Sequence, residues 1–215
     1  MEEQLKLDDN LSVLEEALSA YKNLIKTRYQ VFLAHKNHEY LIELVFLPRN
    51  FIHLSGINKL KDLSLLTNSK TLQFYRLCKD KILRDRVTRS IYFEQIKNRL
   101  YSIIYLSSIL TSVDITSYYK FVCKIEFNYT SIEFNYFAKS KLYSDIYYYF
   151  MRSLDDSNSL NEHILVSTFI DNYKNYSIGQ ELMTLLKLTV ISEDSLKKRI
   201  VFDRTNKMWK FGAIQ

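Results

Sequence analysis

The spacing of apolar positions near the start of the chain predicts a helix followed by two strands. Ser12-x-x-Glu15 has the form of a capping box, and the apolar positions around it recur at helical spacing: Leu14, Leu18, Tyr21 and Ile25. A helical N-terminus is therefore expected over residues 12–29. Strands are expected at 30–34 and 40–47 around a polar turn, and Pro48, which has no backbone N–H, ends the second strand.

Helical spacing returns in the middle of the chain, and strand-like alternation fills most of the second half. Helices are expected at 59–77 and 84–110, within a basic helical region that spans residues 59–110. A strand-rich region follows at 118–191, with strands expected at 125–129, 132–136, 146–151, 164–170 and 182–191. The polar stretch 153–162 is predicted to be a loop, and residues 192–215 are predicted to be a last strand or an extension.

This order of elements predicts an α+β fold in which helices pack on a mainly antiparallel sheet, with the basic helical region as an insert. The 215 residues are expected to form a single domain, since 47% hydrophobic and 25% charged residues are ordinary values for a chain that buries one core. Three Gly and one Pro exclude collagen-like, linker-like and proline-rich disordered proteins. Glycines this scarce are expected where the backbone requires them, as at Gly56 and Gly179.

Cysteine, histidine and the N-terminus indicate the cellular context. Two cysteines, Cys78 and Cys123, cannot form a disulfide framework, and the four histidines have no spacing typical of a metal site. No metal and no cofactor are therefore expected. The N-terminus is acidic and polar, unlike a signal peptide, and no apolar stretch approaches the ~18 residues of a membrane helix. We expect a soluble, cytoplasmic protein that has no membrane partner.

The net charge of +6 is concentrated in one part of the chain. Residues 59–99 hold eleven Lys or Arg and four acidic residues, which is a net +7 in 41 residues. Such a segment attracts a polyanion through counterion release. It is also typical of a solvated helical face that binds nothing, and for a charged run alone that interpretation is the better one. RNA binding through Lys61, Arg84 and Arg86 is the alternative hypothesis.

Residues 48–63, PRNFIHLSGINKLKDL, hold the side chains best suited to chemistry. His53 lies in an apolar segment that is expected to be the exit of a strand, and Gly56 and Lys59 follow it. A histidine can act as general base or acid near neutral pH, and a lysine or arginine can stabilise the phosphorus intermediate formed when a 2′-hydroxyl attacks. Arg49, His53 and Lys59 would therefore suffice for metal-free RNA cleavage if the fold brings them together. A structural histidine is the alternative, and it is the commoner role of a histidine between apolar residues.

The same segment resembles a known family. The residues Phe51-x-His53-Leu54-Ser55-Gly56-Ile57-x-Lys59-Leu60-x-Asp62-Leu63 are similar to the His-Leu-x-Gly signature of the phage-type BECR nucleases, which group barnase-, EndoU-, colicin- and RelE-like ribonucleases. The resemblance continues at Ser90-x-x-Phe93-x-x-Ile96-x-x-Arg99-Leu100, and more loosely at Ser167-Thr168-Phe169 with Tyr176-x-x-Gly179-Gln180. Membership implies helices against a four-stranded antiparallel sheet, and metal-independent RNA cleavage through a 2′,3′-cyclic phosphate. It also implies a toxin, or an effector against phages or mobile elements.

The resemblance assigns roles to individual residues. His53 matches the motif histidine and is the expected general base or acid, with Lys59 as the cation on the phosphate or transition state. No second histidine is well placed, so Lys, Arg or Tyr is expected to supply the second proton-transfer role. Three further assignments have an ordinary role as an alternative that is at least as good: Thr168 or Ser167 as a polar catalytic contributor, Ser55 as a phosphate contact and Gln180 as a base or phosphate contact. For Ser55, capping of the helix after Gly56 is the better interpretation. The predicted RNA-binding set is Arg49, Ser55, Lys61, Arg84, Arg86 and Gln180.

Three functions are compatible with the sequence. The first is a metal-independent endoribonuclease that acts as a toxin or anti-phage effector and has RNA and a neutralising protein antitoxin as partners. The second is a non-catalytic module that holds RNA or DNA on the basic residues 59–99. The third is an interaction protein, such as an inhibitor of a bacterial or phage enzyme, since a fold does not determine a function. Cleavage that depends on His53 distinguishes the first, and salt-sensitive binding distinguishes the second from the third.

Overall fold

The computed structural model of the protein describes residues 2–63, 69–122, 133–154 and 161–204. Its helices are α1 (Glu2–Ile25), α2 (Pro48–Leu54), α3 (Lys70–Lys79), α4 (Lys81–Thr88), α5 (Glu94–Ile104) and α6 (Leu106–Thr111), with a 3₁₀ turn at Ile57–Lys59. Its strands are β1 (Thr27–His35), β2 (His38–Val45), β3 (Thr116–Lys120), β4 (Tyr136–Leu142), β5 (Asp145–Ser153), β6 (Glu162–Ile170), β7 (Glu181–Ser192) and β8 (Lys198–Asp203). Within those ranges, every helix is too short or too polar to cross a bilayer.

Seven of the strands join into a closed sheet. Their order is β1-β2-β6-β5-β4-β3-β7, and β7 returns to pair with β1, while β8 extends the sheet from β7. Neighbouring strands are antiparallel except β2 and β6, which pair in parallel over Glu43–Val45 and Glu162–Ile164. The expected arrangement of helices on a mainly antiparallel sheet of about four strands is therefore wrong. The fold is a closed, mixed, seven-stranded barrel with an eighth strand attached and helices packed against it.

The length of β7 explains why the sheet closes. This strand has twelve residues, and one of its edges pairs with β1 from Thr184 to Ser192. Its other edge pairs first with β3 over Glu181–Met183 and then with β8 over Lys187–Ile191. One long strand thus joins the N-terminal hairpin to the late strands. Closure gives hydrogen-bond partners to backbone groups that an open sheet would leave at its edges.

Alternation along the strands builds two hydrophobic clusters on opposite faces of the sheet. The β5 side chains divide between them: Tyr147, Tyr149 and Met151 lie in the main core, and Tyr148 and Phe150 lie in a separate aromatic cluster. The main core is covered by α1 through the apolar positions expected from the sequence, since Leu14, Leu18 and Tyr21 are buried. The strands that the sequence predicted at 30–34, 146–151, 164–170 and 182–191 are confirmed as parts of β1, β5, β6 and β7. The strand predicted at 40–47 is confirmed as β2 except at its end, because β2 stops at Val45.

The boundaries of the first helix differ from the expectation. α1 begins at Glu2, and the Ser12 hydroxyl donates to the Glu16 carboxylate at 3.2 Å inside the helix instead of capping its start. The helix ends at Ile25, before the expected end at residue 29, because β1 begins at Thr27. The capping-box pattern Ser12-x-x-Glu15 therefore lies inside a longer helix and does not mark the start of that helix.

The basic helical region is more divided than expected. The helix expected over 84–110 consists of α4, α5 and α6. Asp62 explains the break between α4 and α5, because its carboxylate accepts from the Ser90 hydroxyl at 2.6 Å and from the Ile91 amide at 3.1 Å. In place of one helix over 59–77, the structure has the 3₁₀ turn at Ile57–Lys59 and α3 from Lys70. Residues 64–68, which lie between them, are outside the described ranges.

Four expectations fall partly or wholly outside the described residues. The strand expected at 125–129 lies within 123–132, and β4 begins at the last residue of the strand expected at 132–136. Most of the loop expected at 153–162 lies at 155–160, which is likewise not described. Of the segment 192–215, β8 supplies the expected last strand, and residues 205–215 are outside the description.

Candidate active site

His53 lies at the end of a short helix rather than at the exit of a strand. Pro48 is the first residue of α2, where its fixed φ suits a helix and its missing N–H is not needed. Phe51, Ile52 and Leu54 are buried, while His53 is exposed. The expected strand exit is therefore wrong, because an apolar run this short does not distinguish a strand from one buried turn of helix.

Gly56 turns the chain back after α2 and brings Lys59 towards the end of that helix. The Gly56 φ of 79° lies in the left-handed region that favours glycine. The Gly56 amide donates to the His53 carbonyl at 3.1 Å, and the Lys59 amide donates to the Gly56 carbonyl at 2.8 Å. A Cβ at position 56 would lie 3.0 Å from Arg99 Cδ and 3.0 Å from Ile96 Cγ2. The Arg99 side chain therefore lies directly against the turn, as only glycine allows.

A β-bulge in β6 supplies the hydrogen-bond partner of the His53 ring. The register between β5 and β6 slips by one residue at Val166, which has no partner residue on β5. The pairing of β6 with β2 stops at Ile164, so α2 packs beside the stretch of β6 that follows. His53 Nε2 lies 3.1 Å from the Val166 carbonyl oxygen. Bulges redirect backbone and side-chain groups in this way, and they are frequent next to active sites.

This hydrogen bond determines which ring nitrogen of His53 is available for chemistry. A carbonyl oxygen only accepts hydrogen bonds, so Nε2 carries the hydrogen and donates to Val166. In the neutral ring, Nδ1 is then the nitrogen with the free lone pair. The backbone of β6 thus holds the imidazole in one tautomer and leaves Nδ1 as the basic atom.

Three cationic side chains lie around His53, and with it they form what we call the His53 cluster: His53, Lys59, Lys70 and Arg99. Partial burial of the ring lowers the pKa of His53, and the positive charges of Lys70, Arg99 and Lys59 lower it further, against an opposing effect of the Val166 hydrogen bond. Burial and the Arg99 charge lower the pKa of Lys59. Burial also lowers the pKa of the Arg99 guanidinium. The net result is a lowered pKa for His53, Lys59 and Arg99, as expected for partly buried cations close to one another, and an anion bound among them would relieve this repulsion.

None of the three cations of the His53 cluster forms an ion pair with the described residues. Elsewhere in the basic segment such pairs do occur: Arg84 Nε lies 3.0 Å from Glu15, and Lys97 Nζ lies 2.6 Å from Asp9. The contrast matters because an uncompensated group of cations beside a neutral histidine attracts a phosphate. Groups of three or more His, Cys, Asp or Glu side chains arranged to hold a metal ion are absent from the described parts of the chain.

Thr168 is placed in the interior and does not reach the surface beside His53. It is fully buried, and its hydroxyl donates to the Ser102 hydroxyl on α5 at 2.8 Å. The Ser102 hydroxyl in turn donates to the Arg99 carbonyl at 2.7 Å. The neighbouring Ser167 is also buried. The predicted catalytic residues His53 and Lys59 are thus brought together, while Thr168 is linked to the site through α5.

The predicted RNA-binding residues are distributed over several parts of the surface and interior. Arg49 is exposed one turn before His53 on α2, and Lys61 is exposed after the 3₁₀ turn. Ser55 is fully buried, and within the described residues its hydroxyl bonds to the backbone of its own turn, at Ile52 and Ile57. The local structural role that was the alternative for Ser55 therefore agrees with its position.

Of the other predicted RNA-binding residues, only Arg86 is exposed with no ion pair or hydrogen bond among the described residues. The Arg84 side chain is 15% exposed and donates to Glu15 and, at 2.9 Å, to the Leu77 carbonyl, so it holds α1, α3 and α4 together. Gln180 accepts from the Val122 amide at 2.9 Å, beside β3. Two strands, β4 and β5, separate β3 from β6 and His53.

Sequence reasoning did not assign a role to Lys70, Arg99 or Val166. Arg99 carried a detectable signal, because Ile96, Arg99 and Ile103 lie at the i, i+3, i+7 positions of one side of α5 and both isoleucines are buried. A cation in the apolar stripe of a helix indicates a special environment. Lys70 was counted only as part of the basic segment, and a backbone carbonyl such as that of Val166 leaves no trace in sequence.

Most of the chain matches one known protein family. Residues 13–202 match the family model of the phage-Barnase-EndoU-ColicinE5/D-RelE like nuclease4 family, PBECR4. The chain belongs to this family. The resemblance to BECR nucleases is thereby confirmed, and family membership indicates a nuclease whose substrate is a nucleic acid. No curated protein and no solved structure matches the chain.

The match spans the three segments that meet at the site of this BECR nuclease. The first contains His53 and Gly56, the second contains Arg99, and the third contains Thr168. The first and second touch where Arg99 lies against Gly56, and the third touches both, through Val166 and Thr168. Segments far apart in sequence therefore converge on one cationic site.

Proposed function

We propose that this BECR nuclease is a metal-independent endoribonuclease that cleaves RNA by 2′-hydroxyl transesterification. His53 Nδ1 takes the proton of the 2′-hydroxyl as the 2′-oxygen attacks the adjacent phosphorus. The bond between phosphorus and the 5′-oxygen then breaks, and the Lys59 ammonium gives that oxygen its proton. The products are a 2′,3′-cyclic phosphate and a free 5′-hydroxyl.

The orientation of His53 is the observation that carries the proposal. Its Nε2–H is held by the Val166 carbonyl at 3.1 Å, so Nδ1 is the free basic atom. The lowered pKa keeps the ring neutral at pH 7, which is the protonation state that a general base requires. A histidine with a purely structural role has no need of three surrounding cations.

The cations supply the second part of the mechanism. The phosphorus intermediate carries more negative charge than the substrate, so Lys59, Lys70 and Arg99 stabilise it more strongly than the ground state. The pKa of Lys59 is lowered by burial and by Arg99, which eases transfer of its proton to the leaving oxygen. The RNA on either side of the cleaved bond is held by exposed lysine and arginine side chains of the basic segment: Lys61, Arg76, Lys79, Lys81, Arg86 and Arg89.

The decisive experiment compares the wild-type protein with His53→Gln on RNA in the presence of EDTA. The glutamine amide can still donate to the Val166 carbonyl but provides no base at the position of Nδ1, so it separates the chemical role from the structural one. We expect cleavage to fall by ~10²–10⁴-fold while the melting temperature stays near that of the wild type. Equal cleavage by both proteins, or complete dependence of the wild type on a divalent metal, contradicts the mechanism.

The same experiment tests the two alternatives. Salt-sensitive RNA binding without cleavage, unchanged in His53→Gln, would indicate the non-catalytic nucleic-acid module. Absence of both binding and cleavage on a broad panel of RNAs would favour the interaction protein. The family match to nucleases supports the catalytic proposal over both.

We further propose that the enzyme acts in the cytoplasm as a toxin or as an effector against phages or mobile elements, and that a protein antitoxin neutralises it. Family membership supports this role through its relation to phage nucleases. Induced expression of the wild type should arrest growth of a bacterial host, and His53→Gln should not. Equal growth of the two strains at equal protein levels would contradict the toxin role.

A further inference from the structure

A chain of buried hydroxyls connects β6 with α5. Thr168 and Ser102 are both fully buried, and the Thr168 hydroxyl donates to the Ser102 hydroxyl at 2.8 Å. Ser102 donates onward to the Arg99 carbonyl at 2.7 Å. The Tyr149 hydroxyl of β5 also donates to the Ser102 carbonyl, at 3.1 Å. Buried hydroxyls destabilise a core unless they are hydrogen-bonded, so these bonds specify one alignment of α5 on the sheet.

One end of this chain lies close to the partner of His53 on β6, and the other end is Arg99, so it connects two members of the His53 cluster. Val166, which holds the His53 ring, and Thr168, which holds α5 through Ser102, are two residues apart on β6. Arg99 lies one helical turn before Ser102 and carries the carbonyl that Ser102 binds. The short stretch from Val166 to Thr168 therefore sets where His53 and Arg99 stand relative to each other.

We propose that Thr168 and Ser102 are positioning residues, which set the distance between His53 and Arg99 through their shared hydrogen bond. The proposal rests on the proposed function of the His53 cluster, and it differs from the sequence-based expectation that Thr168 contributes directly to catalysis. Neither hydroxyl reaches the surface, so neither touches the RNA. Their effect is exerted through the Arg99 backbone and the β6 bulge.

The test uses Thr168→Val, which keeps the shape of the side chain and removes the hydroxyl, and Thr168→Ser, which keeps the hydroxyl. Thr116→Val is the matched control. Thr116 is also a buried strand threonine, but its hydroxyl donates to the Ile109 carbonyl at 2.8 Å, on α6 and away from His53. For each variant we measure thermal unfolding, kcat and KM for RNA cleavage, and the titration of the His53 ring by NMR.

We expect Thr168→Val to lower kcat by ~10-fold or more with a smaller change in KM, because a small displacement of a positioned group is costly to the reaction. The His53 pKa should rise towards its ordinary value, because Arg99 moves away and the ring becomes better hydrated. Thr168→Ser should restore both values. Thr116→Val should lower thermal stability and leave kcat and the His53 titration unchanged.

The proposal is overturned if Thr168→Val behaves like Thr116→Val, or if Thr168→Ser is as impaired as Thr168→Val. Ser102→Ala removes the same hydrogen bond from the other side and provides the test if Thr168→Val does not fold. The NMR titration needs no enzymatic activity. An inactive wild type would therefore contradict the proposed function, whereas an unmoved His53 titration would contradict the positioning role.

Discussion

Replacement of Gly56 by alanine tests whether the turn after His53 and the position of Arg99 depend on each other. The alanine must adopt a φ of 79°, and its Cβ would lie 3.0 Å from Arg99 Cδ and 3.0 Å from Ile96 Cγ2. Ordinary carbon–carbon contacts are about 3.5–4.0 Å, so both neighbours have to move. Arg99 can yield more easily than Ile96, because Ile96 is buried.

The cost has two parts. The left-handed conformation costs a residue other than glycine ~1–2 kcal/mol, and overpacking a close contact costs ~1–3 kcal/mol. We therefore expect Gly56→Ala to lower the free energy of unfolding by ~2–5 kcal/mol, which for a chain of this size is a fall of roughly 4–20 °C in the melting temperature. Displacement of Arg99 should also reduce kcat/KM for RNA cleavage by ~10-fold or more.

Denaturant unfolding and RNA cleavage, measured at a temperature where both proteins are folded, give the two quantities. Leu196→Gly is the control for the backbone part, since Leu196 has a φ of 52° and is 79% exposed. That substitution should stabilise the protein slightly and leave cleavage unchanged. A Gly56→Ala protein as stable and as active as the wild type would refute the close packing of Arg99 on the turn.

Two further predictions concern pH and the basic segment. The neutral form of His53 is the base and its pKa is lowered from 6.5, so kcat/KM should rise with pH around a midpoint below 6.5. Arg99→Gln should move that midpoint upward, because the Arg99 charge contributes to the lowered pKa. A wild-type midpoint at or above 6.5 would contradict this prediction. The same shift makes the free energy of unfolding decrease as pH falls below about 6.5, since the unfolded chain binds the proton first. Arg84→Ala should lower stability by ~1–3 kcal/mol with little change in RNA affinity, whereas Arg86→Ala should leave stability unchanged and reduce the salt dependence of RNA binding by about one unit of slope. Exchanged effects of the two arginines would show that Arg84 is not the structural member.

Local patterns predicted β1, β2, β5, β6 and β7, because alternation of apolar and polar residues within each of these strands is visible in the sequence, but no strand was predicted at β3 and β4 was met only at Tyr136. In β5, Tyr147, Tyr149 and Met151 alternate with Tyr148 and Phe150, and both faces of this strand are buried in different clusters. The N-terminal hairpin was equally clear, since β1 and β2 are joined by a short polar turn. Alternation reports only which face a side chain occupies and not which strand lies alongside.

Closure of the barrel was not predictable for that reason. The pairing of Thr27 with Ser192 joins the first strand to a strand near the end of the described chain. The parallel contact between β2 and β6 is only three residues long, too short to give a sequence signal. Alternation predicted more than four strands, and the expectation of a sheet of about four strands followed from the resemblance to the BECR nucleases.

The candidate site was predicted in part. The motif around His53, Gly56 and Lys59 directed attention to the correct turn, because a histidine and a lysine next to a rare glycine are unusual. Arg99 and Val166 enter the site from other elements, through a helix face and a strand bulge. Thr168 was selected by resemblance, but its burial changes the role that its hydroxyl can have.

The central claim is that His53 acts on the 2′-hydroxyl of RNA, and the chemical ends of the products test it most directly. A short RNA of defined sequence is incubated with the wild-type protein in EDTA, and the fragments are measured by mass spectrometry. We predict fragments with a 2′,3′-cyclic phosphate and fragments with a 5′-hydroxyl, and no cleavage at a position where the 2′-hydroxyl is replaced by hydrogen. Fragments with a 5′-phosphate, or cleavage at the 2′-deoxy position, would contradict the account.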